Sequence, residues 1–176
     1  MLPFKVTRKK ERSNRMKIKK RELLKFAEVI KSFEGLKYST KFSYFLTKNK
    51  LACKDELEAL DEARKPDQKF LDFELERVKT AQEHSEKGAD GSPVIRNGAF
   101  IILPDNQEKF DKEMAKLRKV NKVVIEAREK QAEEFDKLIG EETEFNGTKI
   151  KLSELPTQIE PALLEVLVTL DLIIED

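Results

Sequence analysis

Cysteine and histidine are almost missing from this chain, and that scarcity rules out much chemistry at the start. There is one cysteine, Cys53, and one histidine, His84, in 176 residues. A lone cysteine closes no intramolecular disulfide, so a reducing cytoplasm is the expected location. A lone histidine with no second cysteine leaves no transition-metal ligand set of ordinary spacing. The six glycines form neither a P-loop nor a G-x-G-x-x-G turn, and no EF-hand spacing occurs. No apolar run reaches the roughly 18 residues of a membrane span. The longest candidate, Pro161 to Ile174, is broken by Glu165 and Asp171. The N-terminus lacks the apolar segment of a secretory signal. These absences argue against a membrane protein and show no cofactor, metal or small-molecule substrate; an enzyme is not expected.

What the chain has in abundance is charge. Charged residues make up 39% of it, against roughly 25% in ordinary globular chains, so the core it can bury is thin. The net charge of +1 conceals a division. Residues 1–50 hold sixteen Lys/Arg against four Asp/Glu, a balance of +12, whereas residues 51–176 hold nineteen against thirty, a balance of −11. Such a dipole either steers an acidic partner to the front end or docks that end on the protein's own acidic body.

Residues 1–15 have no sustained periodicity and are expected to form a flexible basic arm, with Met16 as an alternative natural start. A first helix is expected from about Lys17 to Phe33, with Leu23, Phe26, Ala27, Ile30 and Phe33 as its apolar stripe and Gly35 as its stop. Ser39 or Thr40 would cap a second helix, and its aromatics at Phe42 and Phe45 read as core rather than as a stacking platform. Leu57, Leu60 and Arg64, then Leu71, Leu75 and Val78, continue a helical stripe. Pro66 interrupts it, because proline lacks an N–H and disfavours helix at the residue before it.

The longest regular stretch runs from Phe110 to Leu138. Phe110, Met114, Leu117, Asn121, Val124, Arg128, Gln131, Phe135 and Leu138 alternate at spacings of four and three, one stripe of an α-helix. No glycine or proline interrupts them. A helix from Asp105 to Ile139 would be roughly 50 Å long at 1.5 Å per residue. Asn-Gly pairs at Asn97-Gly98 and Asn146-Gly147 each predict a β-hairpin, and such a helix would hold them at opposite ends. Pro161 opens a last helix, apolar nearly all round and therefore expected to be buried.

The fold class expected is mainly α with small β-hairpins: a long, coiled-coil-like antiparallel helical hairpin, Pro66–Glu86 against Asp105–Ile139, with a short helical bundle at its base. Residues 16–176 would form that single domain. The seam residues Asn121, Val124, Arg128, Gln131, Phe135 and Leu138 extend beyond the reach of the shorter partner helix. Its polar members either fix register or stand in solvent.

Acidic runs such as Asp72, Glu74 and Glu76 read as solvated helix faces paired with lysines. His84, at a helix end, is expected in a surface or C-terminal capping role rather than in catalysis or ligation. Gly88, Asp90 and Gly91 read as a plain turn. The basic segment Arg8, Lys9, Lys10, Arg12, Arg15, Lys17, Lys19, Lys20 and Arg21 could neutralise several phosphates, giving nucleic-acid binding as the alternative function. No base-reading motif accompanies it.

The order of elements over residues 16–176 resembles that of small uncharacterised proteins of tailed phages and prophages. The similarity is carried by Phe42 with Lys48-Asn49, Phe70-Leu71-Asp72-Phe73-Glu74, Asp90-Gly91-Ser92-Pro93 and Leu155-Pro156. It implies a phage or mobile-element setting, hence the host cytoplasm, and no mechanism. The expected function is that of a non-enzymatic interaction or assembly protein. It would act through its hairpin surface and C-terminal helix on a protein partner or on a second copy of itself.

Overall fold

The computed structural model describes residues 15–33 and 35–176. The elements, in chain order, are β1 (Arg15–Lys19), α1 (Lys20–Ser32), α2 (Thr40–Ala52), α3 (Lys54–Arg64), α4 (Gln68–His84), β2 (Ile95–Arg96), β3 (Ala99–Phe100), α5 (Gln107–Val120), α6 (Lys122–Leu138), β4 (Glu142–Asn146), β5 (Ile150–Lys151), α7 (Pro161–Thr169) and β6 (Ile173–Ile174). The protein is mainly helical with small sheets. Its contacts group into two compact units: the described part of Met1–Ala63 with Asp136–Asp176, and Arg64–Phe135. One domain over residues 16–176 was expected from the sequence; this grouping divides it.

The first unit holds the apolar core. Leu23, Phe26 and Ile30 lie on one stripe of α1, Phe42, Phe45 and Leu46 on one face of α2, and Leu163, Val166 and Leu167 on α7. Phe145 of β4, Ile150 of β5, and Cys53, Leu170 and Leu172 in the turns complete the cluster, with Phe145 tilted against Phe26 at a centroid distance of 6.3 Å. Local chemistry sets the ends of these helices. The Ser39 hydroxyl accepts from the Phe42 N–H, and Pro161 occupies the first turn of α7, where its missing donor costs nothing. After α7 the chain turns through Asp171 at φ 48°, with Leu172 N–H bonded to Leu167 and Asp171 N–H to Val168. These are the two bonds of a Schellman ending.

Two sequence expectations fail here. The segment read as an arm and a helix start is β1, paired antiparallel with β4, with Met16 opposite Phe145 and Ile18 opposite Thr143. Met16 and Ile18 turn inward while Arg15, Lys17 and Lys19 are exposed, a period-two pattern only five residues long. Residues 1–14, the rest of the expected arm, lie outside the described residues. The Asn146-Gly147 pair makes no hairpin: β4 pairs with β1, and β5 pairs in parallel with β6. Gly147 serves close packing instead, since a Cβ there would come within 2.6 Å of Leu172 and 2.7 Å of Phe145. Asn49, fully buried, bridges the gap: its amide donates to the carbonyls of Phe45 and Thr148 and accepts from Thr148 N–H.

The second unit contains α4, α5 and most of α6. Asp67 caps α4 by accepting from Phe70 N–H at 2.7 Å. The Asn97-Gly98 hairpin forms as expected, with φ of 50° and 77° at the two turn residues, as a type I′ turn requires. Helix α4 packs on α5. The expected single helix from Asp105 is divided: α5 ends at Val120 and α6 begins at Lys122. Asn121 has ψ 15°, and its side-chain amide donates to the Leu117 carbonyl. A side chain that competes for a backbone acceptor, beside the β-branched Val120, Val123 and Val124, weakens the helix at that point.

Candidate interaction surfaces

The predicted stripe on α5 and α6 is the sheltered one. Phe110, Met114, Leu117, Asn121, Val124, Arg128, Gln131, Phe135 and Leu138 are all buried or half-buried, and between them only Glu113 and Ile125 are not exposed. Two polar seam residues have defined work. Arg128 Nη1 donates to the Arg64 carbonyl at 2.8 Å and to Gln131 Oε1 at 2.6 Å, and Gln131 Nε2 donates to the Lys65 carbonyl at 2.9 Å. Those carbonyls lie at the C-terminal end of α3, where the helical ladder stops, so the seam side chains supply donors at the helix end.

On α4 the sheltered face differs from the expected one. Phe73 and His84 are buried and Phe70 and Arg77 half-buried, whereas Leu71 and Leu75 of the expected stripe are exposed. Two adjacent helical stripes compete in this segment, and the bulkier aromatic one, Phe70-Phe73-Arg77-His84, turns inward. Its signal in the sequence is the pair of phenylalanines at i and i+3.

A cleft of about 570 Å³ opens in this unit, lined by Phe70, Phe73, Arg77, Arg118, Ile125 and Arg128 among others. A smaller one of about 270 Å³ shares Phe70 and Arg128 with it. The Arg128 guanidinium lies 5.8 Å from the Phe70 ring centroid, within cation–π range. Arg77 is held by Glu74 through a two-pronged contact, Nε at 3.0 Å and Nη2 at 2.8 Å from the carboxylate. The cleft thus has an aromatic lining from Phe70 and Phe73, with Arg77, Arg118 and Arg128 beside Glu74 and Glu129.

His84 corrects another expectation. It does end α4, but it is buried rather than at the surface, with Nε2 2.9 Å from Glu113 Oε2 and its ring edge-on to Phe110. The hydrogen bond to His84 and then its charge hold the Glu113 carboxyl below its ordinary pKa. The neighbouring Ser85 gives its hydroxyl to the Gln82 carbonyl at 2.8 Å, so it does not extend the pair into a catalytic triad. Cys53 is buried, and burial raises its thiol to about 11, far from a reactive thiolate. At the turn expected from glycine content, Asp90 accepts from the backbone and hydroxyl of Ser92, which lower its carboxyl pKa. Among the described residues no His/Cys/Asp/Glu group could hold a metal ion, and no helix is long and apolar enough to cross a membrane.

Of the basic segment, Arg8, Lys9, Lys10 and Arg12 lie outside the described residues. Of the remainder, Arg15, Lys17, Lys19 and Lys20 stand opposite or beside acids. Lys17 stands opposite Glu144 and Lys19 opposite Glu142 in the β1–β4 pair, and Arg15 reaches Glu144 at 3.3 Å. Lys20 lies between Glu141 at 3.2 Å and Glu56 at 3.6 Å. Arg21 fixes its neighbourhood through its backbone, which donates to the Ile139 carbonyl. Cross-strand pairs of opposite charge favour this register.

The C-terminal helix, expected as an interaction surface, is largely core: Leu163, Val166 and Leu167 are buried, and Val168 is its exposed large apolar residue. Known families, characterised proteins and solved structures give no match to this chain.

Proposed function

We propose that this is a non-enzymatic interaction or assembly protein, an accessory of a phage or mobile element acting in the host cytoplasm. In this reading α4 pairs antiparallel with α5 and α6 as a coiled-coil-like hairpin, and its outer surface receives a protein partner or a second copy of the chain. The observation that supports it most is exposed apolar surface within a small unit. Leu71 and Leu75 on α4 are 46% and 70% exposed, and Val120 and Val123 at the α5–α6 junction are 75% and 77% exposed. Single exposed apolar residues are ordinary, but grouped ones mark contact surfaces. The break at Asn121 serves the same end, since it sets Val120 and Val123 at a joint rather than along a straight helix.

Native mass spectrometry with affinity capture tests the reading. Self-association or a captured host protein is expected for the natural chain. Replacing Leu75 and Val123 together by glutamate should abolish it while shifting stability by less than about 0.5 kcal/mol per site. A strictly monomeric protein that captures nothing would end this reading. Nucleic-acid binding through the basic segment is the competing function. It requires affinity that falls steeply with salt and disappears when residues 1–15 are removed.

A further inference from the structure

Helix α2 and the loop before it carry a second surface, within the first unit and independent of the seam. A cavity of about 220 Å³ is lined there by Ile30, Phe33, Leu36, Tyr38, Leu46 and Leu163, with Ser43, Thr47 and Lys50 at its polar side. The Tyr38 hydroxyl is buried and has no hydrogen-bond partner among the described residues. It is the one buried side-chain polar atom so placed among them. The Tyr38 ring packs edge-on to Phe42 at 5.2 Å, which fixes the hydroxyl in position. Burial, then the charge of Glu160, raises its pKa, so it stays a donor at neutral pH. A buried hydroxyl without a partner costs folding free energy, and that cost is explained if an acceptor arrives from outside.

The surroundings indicate what brings the acceptor. Helix α2 contains Lys41, Lys48 and Lys50 and no acidic residue, and Lys37 precedes it. Lys41 is held by Glu154, whereas Lys37 and Lys48 are exposed. On the outer face Tyr44 is 68% and Leu51 65% exposed, at the i and i+7 positions that flank Lys48. The cavity is smaller than the roughly 300–1,000 Å³ of cofactor and drug-sized sites. It suits one anchoring side chain of a larger partner, the usual centre of a protein interface.

We propose that this cavity and the lysine-bearing face of α2 form a docking site for an acidic peptide segment. One large apolar side chain of that segment fills the space between Leu36, Leu46 and Leu163, and a main-chain carbonyl beside it accepts from the Tyr38 hydroxyl. Acidic residues flanking the anchor meet Lys37 and Lys48. Tyr44 and Leu51 cover the apolar edges of the segment.

The test uses the full chain and short fluorescein-labelled peptides in which one Phe is flanked by Asp and Glu. The comparison peptides carry Ala at the anchor, or Lys in place of the acids. Fluorescence anisotropy should show binding of the acidic Phe peptide and at least about tenfold weaker binding of both controls. Tyr38→Phe is expected to weaken the acidic peptide about 3- to 10-fold, the worth of one hydrogen bond, and to raise the melting temperature of the unliganded protein. Lys48→Glu, at an exposed position, should weaken binding and flatten its salt dependence without changing the melting temperature. Equal binding of all three peptides, or none, would overturn the proposal. So would a Tyr38→Phe variant that binds unchanged. Loss of self-association in the Leu75 and Val123 variant tests the assembly reading separately and leaves this site intact.

Discussion

The two units of this protein bury apolar surface in very different amounts. In the unit of residues 15–63 and 136–176, fourteen buried residues from α1, α2, α7, the strands and the turns beside them pack into one cluster. In the unit of residues 64–135 only Phe73 and Met114 are buried hydrophobics, alongside the polar His84 and Ser85. The first unit is stabilised by close packing, where loss of a side chain leaves a cavity. The second depends on helix caps, a His–carboxylate contact and side chains that bond open carbonyls, each worth about 0.5–1.5 kcal/mol net. Apolar side chains that a thicker core would enclose are left at its surface. That contrast gives each unit a distinct vulnerability.

The largest expected effect separates the two cores directly. Phe26→Ala, at a fully buried site against Phe145, should lower unfolding free energy by about 3–5 kcal/mol, measured by urea denaturation. Phe73→Ala should cost less, because its thin surroundings collapse more readily; equal costs would erase the distinction. Next is Asn49→Leu, which leaves the Thr148 N–H and carbonyl without their partner inside the first unit. A loss of about 2–3 kcal/mol is expected from the stranded backbone groups. A neutral result would mean that the Asn49 bridge adds nothing to the core.

Smaller effects probe the second unit. Arg128→Lys removes the planar fork that serves the Arg64 carbonyl and Gln131 together. It should cost about 0.5–1 kcal/mol and speed amide exchange within residues 64–135, with unchanged exchange in α1 and α7. The pH response should be smaller still. Glu113 has a depressed pKa in the folded protein, so its contribution is present above the ordinary carboxylate pKa and lost as pH falls through the folded value. Protection of α4 amides, relative to their intrinsic exchange rates at each pH, should therefore fall on acidification in the natural chain. Glu113→Gln should flatten that response, and an identical profile in the variant would remove the His84–Glu113 contact from the account.

Periodicity made the sheltered face of α5 and α6 legible because helix geometry alone determines which residues share a face. Ser39 as the cap of α2 and Asn97-Gly98 as a hairpin turn were equally local matters. The break at Asn121 was not legible, since the stripe continues through it in phase and only the side chain's bond to Leu117 marks the interruption. Nor was the choice between Leu71-Leu75 and Phe70-Phe73 on α4, where two stripes of nearly equal merit adjoin.

The sequence by itself determined the helical character, the charge division and the local turn chemistry, all of which depend on neighbours within a few positions. Tertiary structure decided what those elements meet. It placed β1 against β4 across more than a hundred residues, so that Lys17 and Lys19 face Glu144 and Glu142 rather than solvent alone. It turned Gly147 from a hairpin signal into a packing contact, and it left the Tyr38 hydroxyl with no hydrogen-bond partner among the described residues, at a largely apolar cavity. The physical reason is common to all three. Local preferences set backbone conformation, but burial and partner choice depend on groups that the folded chain brings together from distant positions.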